Sequence, residues 1–173
     1  MKKIYILSTF LMIFLLLTGC IQKNYDLNTG YRYLKEGKLD LSGKIFEFII
    51  NNSSNTMDVS LSHRGLGWVH FLQNNFATSL MHFRNCDDSS ETYIGIILNY
   101  IRIDNTEEAI NMSREIEMEV FPIEYLPDPL TKEEFCKLIS VLCIYENKMD
   151  AFYYFIEYIS DTEFLLELTD FLR

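Results

Sequence analysis

Hydrophobic positions follow two different patterns along this chain. From Ile4 to Leu17 they form one run of fourteen residues broken only by Ser8 and Thr9, whereas from about residue 26 they recur every three or four positions. The first run is too short to span a bilayer, which takes roughly twenty residues. It follows Met1-Lys2-Lys3 and precedes Leu17-Thr18-Gly19-Cys20, the layout of a secretory signal peptide over residues 1–19, so it is set aside from the fold. Beyond it, Phe135, Leu138, Ile139, Leu142 and Cys143 share one helical stripe, and Ile94, Ile97, Leu98 and Ile101 another. Strand signals are scarce: there is no Asn-Gly or Asp-Gly turn and little alternation of apolar and polar residues. Four segments place a capping side chain three residues before a Glu: Asp88-Ser89-Ser90-Glu91, Asn105-Thr106-Glu107-Glu108, Thr131-Lys132-Glu133-Glu134 and Ser160-Asp161-Thr162-Glu163. The pattern predicts helices near 26–36, 39–51, 58–73, 76–85, 90–103, 106–119, 132–146, 149–159 and 161–172. The strong breaker is Phe121-Pro122-Ile123-Glu124-Tyr125-Leu126-Pro127-Asp128-Pro129, which holds all three prolines, so a loop is expected over 120–131 that makes the third and fourth hairpins sit differently.

Short connections between helices of this length force antiparallel hairpins, and the hairpins look alike. Gly30, Tyr31 and Tyr33 are followed by Gly37-Lys38, Ser42 and Phe46; Leu66-Gly67 and His70 by Asn74-Asn75, Ser79 and Phe83. The third unit runs through Tyr93, Ile97 and Tyr100 to Asp104-Asn105 and Ala109, with Ser113 where a large aromatic is expected; the fourth runs through Phe135, Ile139 and Leu142 to Asn147-Lys148, Ala151 and Phe155. The small residues Ser42, Ser79, Ala109 and Ala151, spaced by 37, 30 and 42, mark where paired helices cross closest. This pattern resembles the tetratricopeptide repeat in degenerate form. The resemblance implies an all-α domain over residues 26–173: a short right-handed solenoid of about four antiparallel helix hairpins with a C-terminal capping helix. An unrelated helical bundle is the other arrangement open to the same helices.

The Leu17-Thr18-Gly19-Cys20 end of the leader resembles a bacterial lipobox. That resemblance implies cleavage before Cys20, a thioether-linked diacylglycerol on its sulfur, acylation of the new N-terminus, and a lipidated tether over residues 20–25. Several acyl chains, at about 0.8 kcal/mol per buried CH₂, would hold the protein to a membrane. A plain cleaved signal or an uncleaved anchor is the alternative. Ile21 after the lipidated cysteine implies sorting, in a Gram-negative cell, to the outer membrane, with the protein facing the periplasm.

Composition narrows the function classes. The 173 residues carry 15 Lys+Arg against 25 Asp+Glu, a balance that argues against nucleic-acid binding, where phosphate contacts demand a surplus of bases. Residues 21–103 hold eight acids and eight bases, while 104–173 hold 17 acids against five bases, so the acidity sits in the C-terminal half. His63 and His70 share a helix face two turns apart, about 10 Å along the axis, in no metal-binding pattern. Arg64-Gly65-Leu66-Gly67 lacks the third glycine and the preceding strand of a phosphate cradle. Cys136 and Cys143, about 10.5 Å apart along one helix, are beyond disulfide reach, so any internal bridge involves Cys86; otherwise all three thiols are small buried apolar groups. No catalytic residue, metal site, cofactor or small-molecule substrate is expected, and the chain reads as a non-enzyme.

In the repeat family the first helices of successive hairpins line a groove that takes a peptide or partner helix. The resemblance carries that role to Tyr31, Arg64, Trp68, Phe71, Ile94, Leu98, Ile101 and Arg102, a wall suited to an apolar peptide with an acidic group. On this reading Arg64→Glu or Trp68→Ala abolishes partner binding without unfolding the protein. The expected function is a membrane-anchored lipoprotein scaffold for a protein or peptide partner of the cell envelope, in its most concrete form an assembly or pilotin- or chaperone-like factor. An adaptor recruiting cell-wall enzymes and a surface-displayed lipoprotein contacting other cells are the alternatives.

Overall fold

Amphipathic stripes and cap signals resolve, in a computed structural model, into nine helices among the described residues, which are 25–118, 121 and 123–171. The leader, Cys20 and most of the tether lie outside them. The helices are α1 (Leu27–Lys35), α2 (Leu39–Asn52), α3 (Thr56–Leu72), α4 (Phe76–Phe83), α5 (Ser90–Arg102), α6 (Thr106–Ser113), α7 (Lys132–Tyr145), α8 (Met149–Ile156) and α9 (Thr162–Phe171). They form an all-α solenoid: α1–α2, α3–α4, α5–α6 and α7–α8 are antiparallel hairpins stacked in chain order, and α9 follows the last.

Each hairpin turns the same way. The first helix ends with a residue in the left-handed region, Gly37, Asn74, Asp104 or Asn147, at φ of 69, 61, 63 and 54°. The next N–H then reaches back to the third-last helical carbonyl: Lys38 to Tyr33, Asn75 to His70, Asn105 to Tyr100 and Lys148 to Cys143, at 2.7–2.9 Å. This is the Schellman turn, and only Gly, Asn and Asp tolerate its backbone at little cost. The second helix starts directly from the turn, so α2, α4, α6 and α8 have no capping side-chain bond, and the box expected at Asn105 does not form. The first helices are capped instead: Asp26, Asn55, Ser89 and Thr131 each accept a backbone N–H, and Thr131 with Glu134 makes a full reciprocal box. For α9 the cap is Asp161 rather than Ser160, which donates to Glu133.

Small residues allow the close crossings. Ser42 and Ser79 are fully buried, and their hydroxyls donate to the carbonyls of Gly30 and Gly67 at 2.9 and 2.7 Å. The large second-helix aromatics wedge between successive first helices. Phe46 lies against Gly30 and Gly65, and Phe83 against Gly67 and Gly95, each glycine leaving room that a Cβ would take. The third hairpin breaks this rule. Ser113 sits where the wedge should be, and the helix predicted to run to residue 119 stops there. The chain leaves the helix to bury Ile116 and Met118, and Glu117 N–H bonds to Ser90 Oγ. Accordingly α1 packs on α3 and α3 on α5, but no packing of that extent joins α5 to α7; the proline-containing segment intervenes, as expected. Among its described residues, Ile123 N–H bonds to Leu130 O and Phe121 packs on Phe135 at 5.3 Å between ring centroids.

Candidate binding face

The first-helix face holds an aromatic cluster built from three distant stretches of chain. Tyr31 on α1 donates its hydroxyl to Leu61 O at 2.7 Å and meets Phe46 edge-on. Trp68 on α3 is fully buried, edge-on to Phe83 and Phe71. Into this corner the proline segment inserts Tyr125. Its ring lies 4.8 Å from Tyr31, and its hydroxyl accepts the Trp68 indole N–H at 3.1 Å. Ile123 and Leu126 are buried beside it. The inner face of the first two hairpins thus already holds a short stretch of polypeptide from its own chain.

Arg64 lies deeper than an open groove would place it. Only 7% of the residue is exposed, and its guanidinium pairs with Glu91 at 2.9 Å and Asp87 at 3.5 Å. Burial pushes the Glu91 carboxyl up, partly offset by the Arg64 charge, and burial lifts the Tyr31 phenol well above its ordinary range. The pair therefore ties α3 to α5. Ile94 is fully buried, while Leu98, Phe71 and Ile101 are half-buried against the core. Arg102 is exposed, with its guanidinium over the Phe76 ring and its NH₂ donating to Asn74. Of the eight wall residues anticipated, the structure joins Tyr31 to Trp68 through Tyr125 and leaves Phe71, Ile101 and Arg102 as the solvent-facing edge.

Two groupings escaped the sequence. Tyr125 was one, and its only signal is that Phe121, Ile123, Tyr125, Leu126 and Leu130 make the loop too apolar to be left in water. Histidine clustering was the other. His63 and His70 do not meet, but both meet His82 of α4. The Nδ1 atoms of His63 and His82 are 3.0 Å apart, and the His70 and His82 rings stack at 5.3 Å. Burial lowers all three, and His82, with two neighbouring imidazoles besides, falls to about 4. Among the described residues no three His, Cys, Asp or Glu side chains are placed to hold one metal ion. Cys86, Cys136 and Cys143 are free thiols, raised by burial to about 12, 11 and 11. None of the described helices is long and apolar enough to cross a membrane.

No family model, no curated protein and no solved structure matches this chain.

Proposed function

We propose that this chain is a lipoprotein, tethered through Cys20 to the outer membrane and facing the periplasm, whose tetratricopeptide-like solenoid binds a protein partner of the cell envelope. It works by binding rather than catalysis, as an assembly factor of the pilotin or chaperone kind. One observation carries the reading: a first-helix face that seats an aromatic segment of polypeptide, with a hydrogen bond to Trp68 and ring contact to Tyr31, has the chemistry of a peptide receptor. The solvent-facing edge at Phe71, Ile101 and Arg102 extends that receptor along α3 and α5 and adds one exposed guanidinium for an acidic group.

The test has two arms in intact cells of the host. Radiolabelled palmitate enters the native chain and is absent from Cys20→Ser. A benzophenone amino acid replacing exposed Arg102 crosslinks one envelope protein, whereas the same group replacing exposed Lys44 on α2 does not. Failure of the label removes the anchor; equal crosslinking from both positions removes the receptor.

A further inference from the structure

The first-helix face is closed by Tyr125 at its N-terminal end and open at its C-terminal end. Between α7 and α9 runs a groove of about 310 Å³, lined by Val141, Ile144, Tyr145, Phe164, Glu167 and Leu168. Five of those side chains are apolar or aromatic. Tyr145 is 83% exposed and Val141 46%. Large apolar groups clustered in this way on a soluble surface mark a place where something docks.

Charge indicates what docks. α9 brings Glu163 and Glu167 and contains no base. Among the described residues from α6 onward, the Lys and Arg side chains are already engaged: Lys137 with Asp161 and Glu133, Arg114 with Asp150, Lys148 with Glu107, and Lys132 over the Tyr158 ring. An apolar floor with an acidic rim favours a cationic ligand. A second copy of the chain would set one acidic α9 beside another. An extended peptide would find no strand edge, because both walls are helices with internally bonded backbones; a helix arrives with its own backbone satisfied and needs to offer only an apolar stripe. We infer that the groove between α7 and α9 receives a cationic amphipathic helix of a partner protein. Its apolar residues at i, i+3 or i+4, and i+7 fill the groove, and its Lys or Arg side chains flank Glu163 and Glu167. The surface is separate from the corner closed by Tyr125, and the inference stands independently of the lipid anchor.

The test uses the full chain in nonionic detergent and a synthetic helix of about 18 residues, Leu on one face and Lys on the other, carrying a photoactivatable leucine. A Leu/Glu helix with the same stripe is the control, so partition into micelles is shared. Crosslinks are expected to map to residues 141–145 and 164–168. Val141→Arg and Glu167→Lys, both at exposed positions, should each lower the yield about tenfold with unchanged circular dichroism. Crosslinks scattered elsewhere, yields indifferent to both variants, or equal labelling by the Leu/Glu helix overturn the inference. Crosslinks joining two copies of the chain through these same residues overturn it too, by making the protein its own occupant.

Discussion

Trp68 and Arg64 looked from the sequence like binding anchors, and their burial changes what substituting them measures. Removing a fully buried indole leaves a cavity, so Trp68→Ala should cost about 3–5 kcal/mol in chemical denaturation. Arg64→Glu would set a third acid against Glu91 and Asp87 in a desolvated site, so loss of partner binding in either variant would report unfolding as readily as recognition. Tyr125→Phe is the gentler probe: it keeps the ring against Tyr31 and removes only the hydroxyl acceptor of the indole N–H, which keeps the Glu91 carboxylate as its other partner, a loss of about 0.5–1.5 kcal/mol. If Tyr125→Phe is as stable as the parent, the Tyr125 hydroxyl adds nothing beyond the Glu91 contact of the indole. The histidines give a prediction in pH. Their folded pKa values lie below the ordinary 6.5, His82 at about 4, so between those limits the unfolded chain binds protons that the folded chain refuses. Stability therefore falls as pH drops through that window and levels off below it. The rings are only partly buried, which holds the effect to about 1 kcal/mol. Urea midpoints from pH 7 to 4.5 should show a shallower decline in His82→Gln; parallel curves for the two proteins would exclude the cluster as the cause.

Helices were legible in this chain because their signals are local. Eight of the nine begin and end within three residues of where the apolar stripe, caps and turn residues placed them. The exception, α6, ends at Ser113 because Ile116 and Met118 gain more by entering the core than by continuing a helix, a tertiary choice that periodicity does not encode. The small residues at the crossings were equally readable, since a short side chain at a fixed offset is itself a packing statement. Ala151, 1% exposed, makes that testable: Ala151→Leu should overpack the α7–α8 crossing and cost about 1–3 kcal/mol. Which neighbour each glycine makes room for was not readable. An added Cβ at Gly95 would collide with the Phe83 ring, and that ring is already held by Gly67 on its other side and by Trp68 at its edge. Gly95→Ala should therefore lower the thermal midpoint even though alanine favours an isolated helix by about 1 kcal/mol. A raised midpoint would mean that the wedge has slack.

Across the whole molecule, the least legible feature is the one that departs from a simple stack. In an ideal solenoid each repeat touches only its neighbours, so hairpins can open from either end in sequence. Here the segment after the third hairpin crosses back to the first and second through Tyr125, 57 residues from its partner Trp68, and returns to α7 through Phe121 on Phe135. Nothing in a residue-by-residue pattern reveals so long a contact, although the apolar content of the loop hinted that it would be buried. The surroundings of the groove residues were hidden for the same reason: Tyr31 and Trp68 have the side chains of a receptor wall, and only the fold shows that Tyr125 of their own chain is seated on them. This crossing has a cooperative consequence. The third and fourth hairpins meet through α6 and α7 but lack the direct α5–α7 packing that joins the others, so the strap is an added tie between the C-terminal hairpin and the first two. With it in place, urea unfolding should be a single transition by both Trp68 fluorescence and far-ultraviolet circular dichroism. In Tyr125→Ala the probes should separate, dichroism falling first as α7–α9 melt and fluorescence following as the α1–α5 stack opens. Coincident transitions in Tyr125→Ala, merely shifted to lower urea, would show that hairpin stacking alone carries the cooperativity and that the strap adds only local stability.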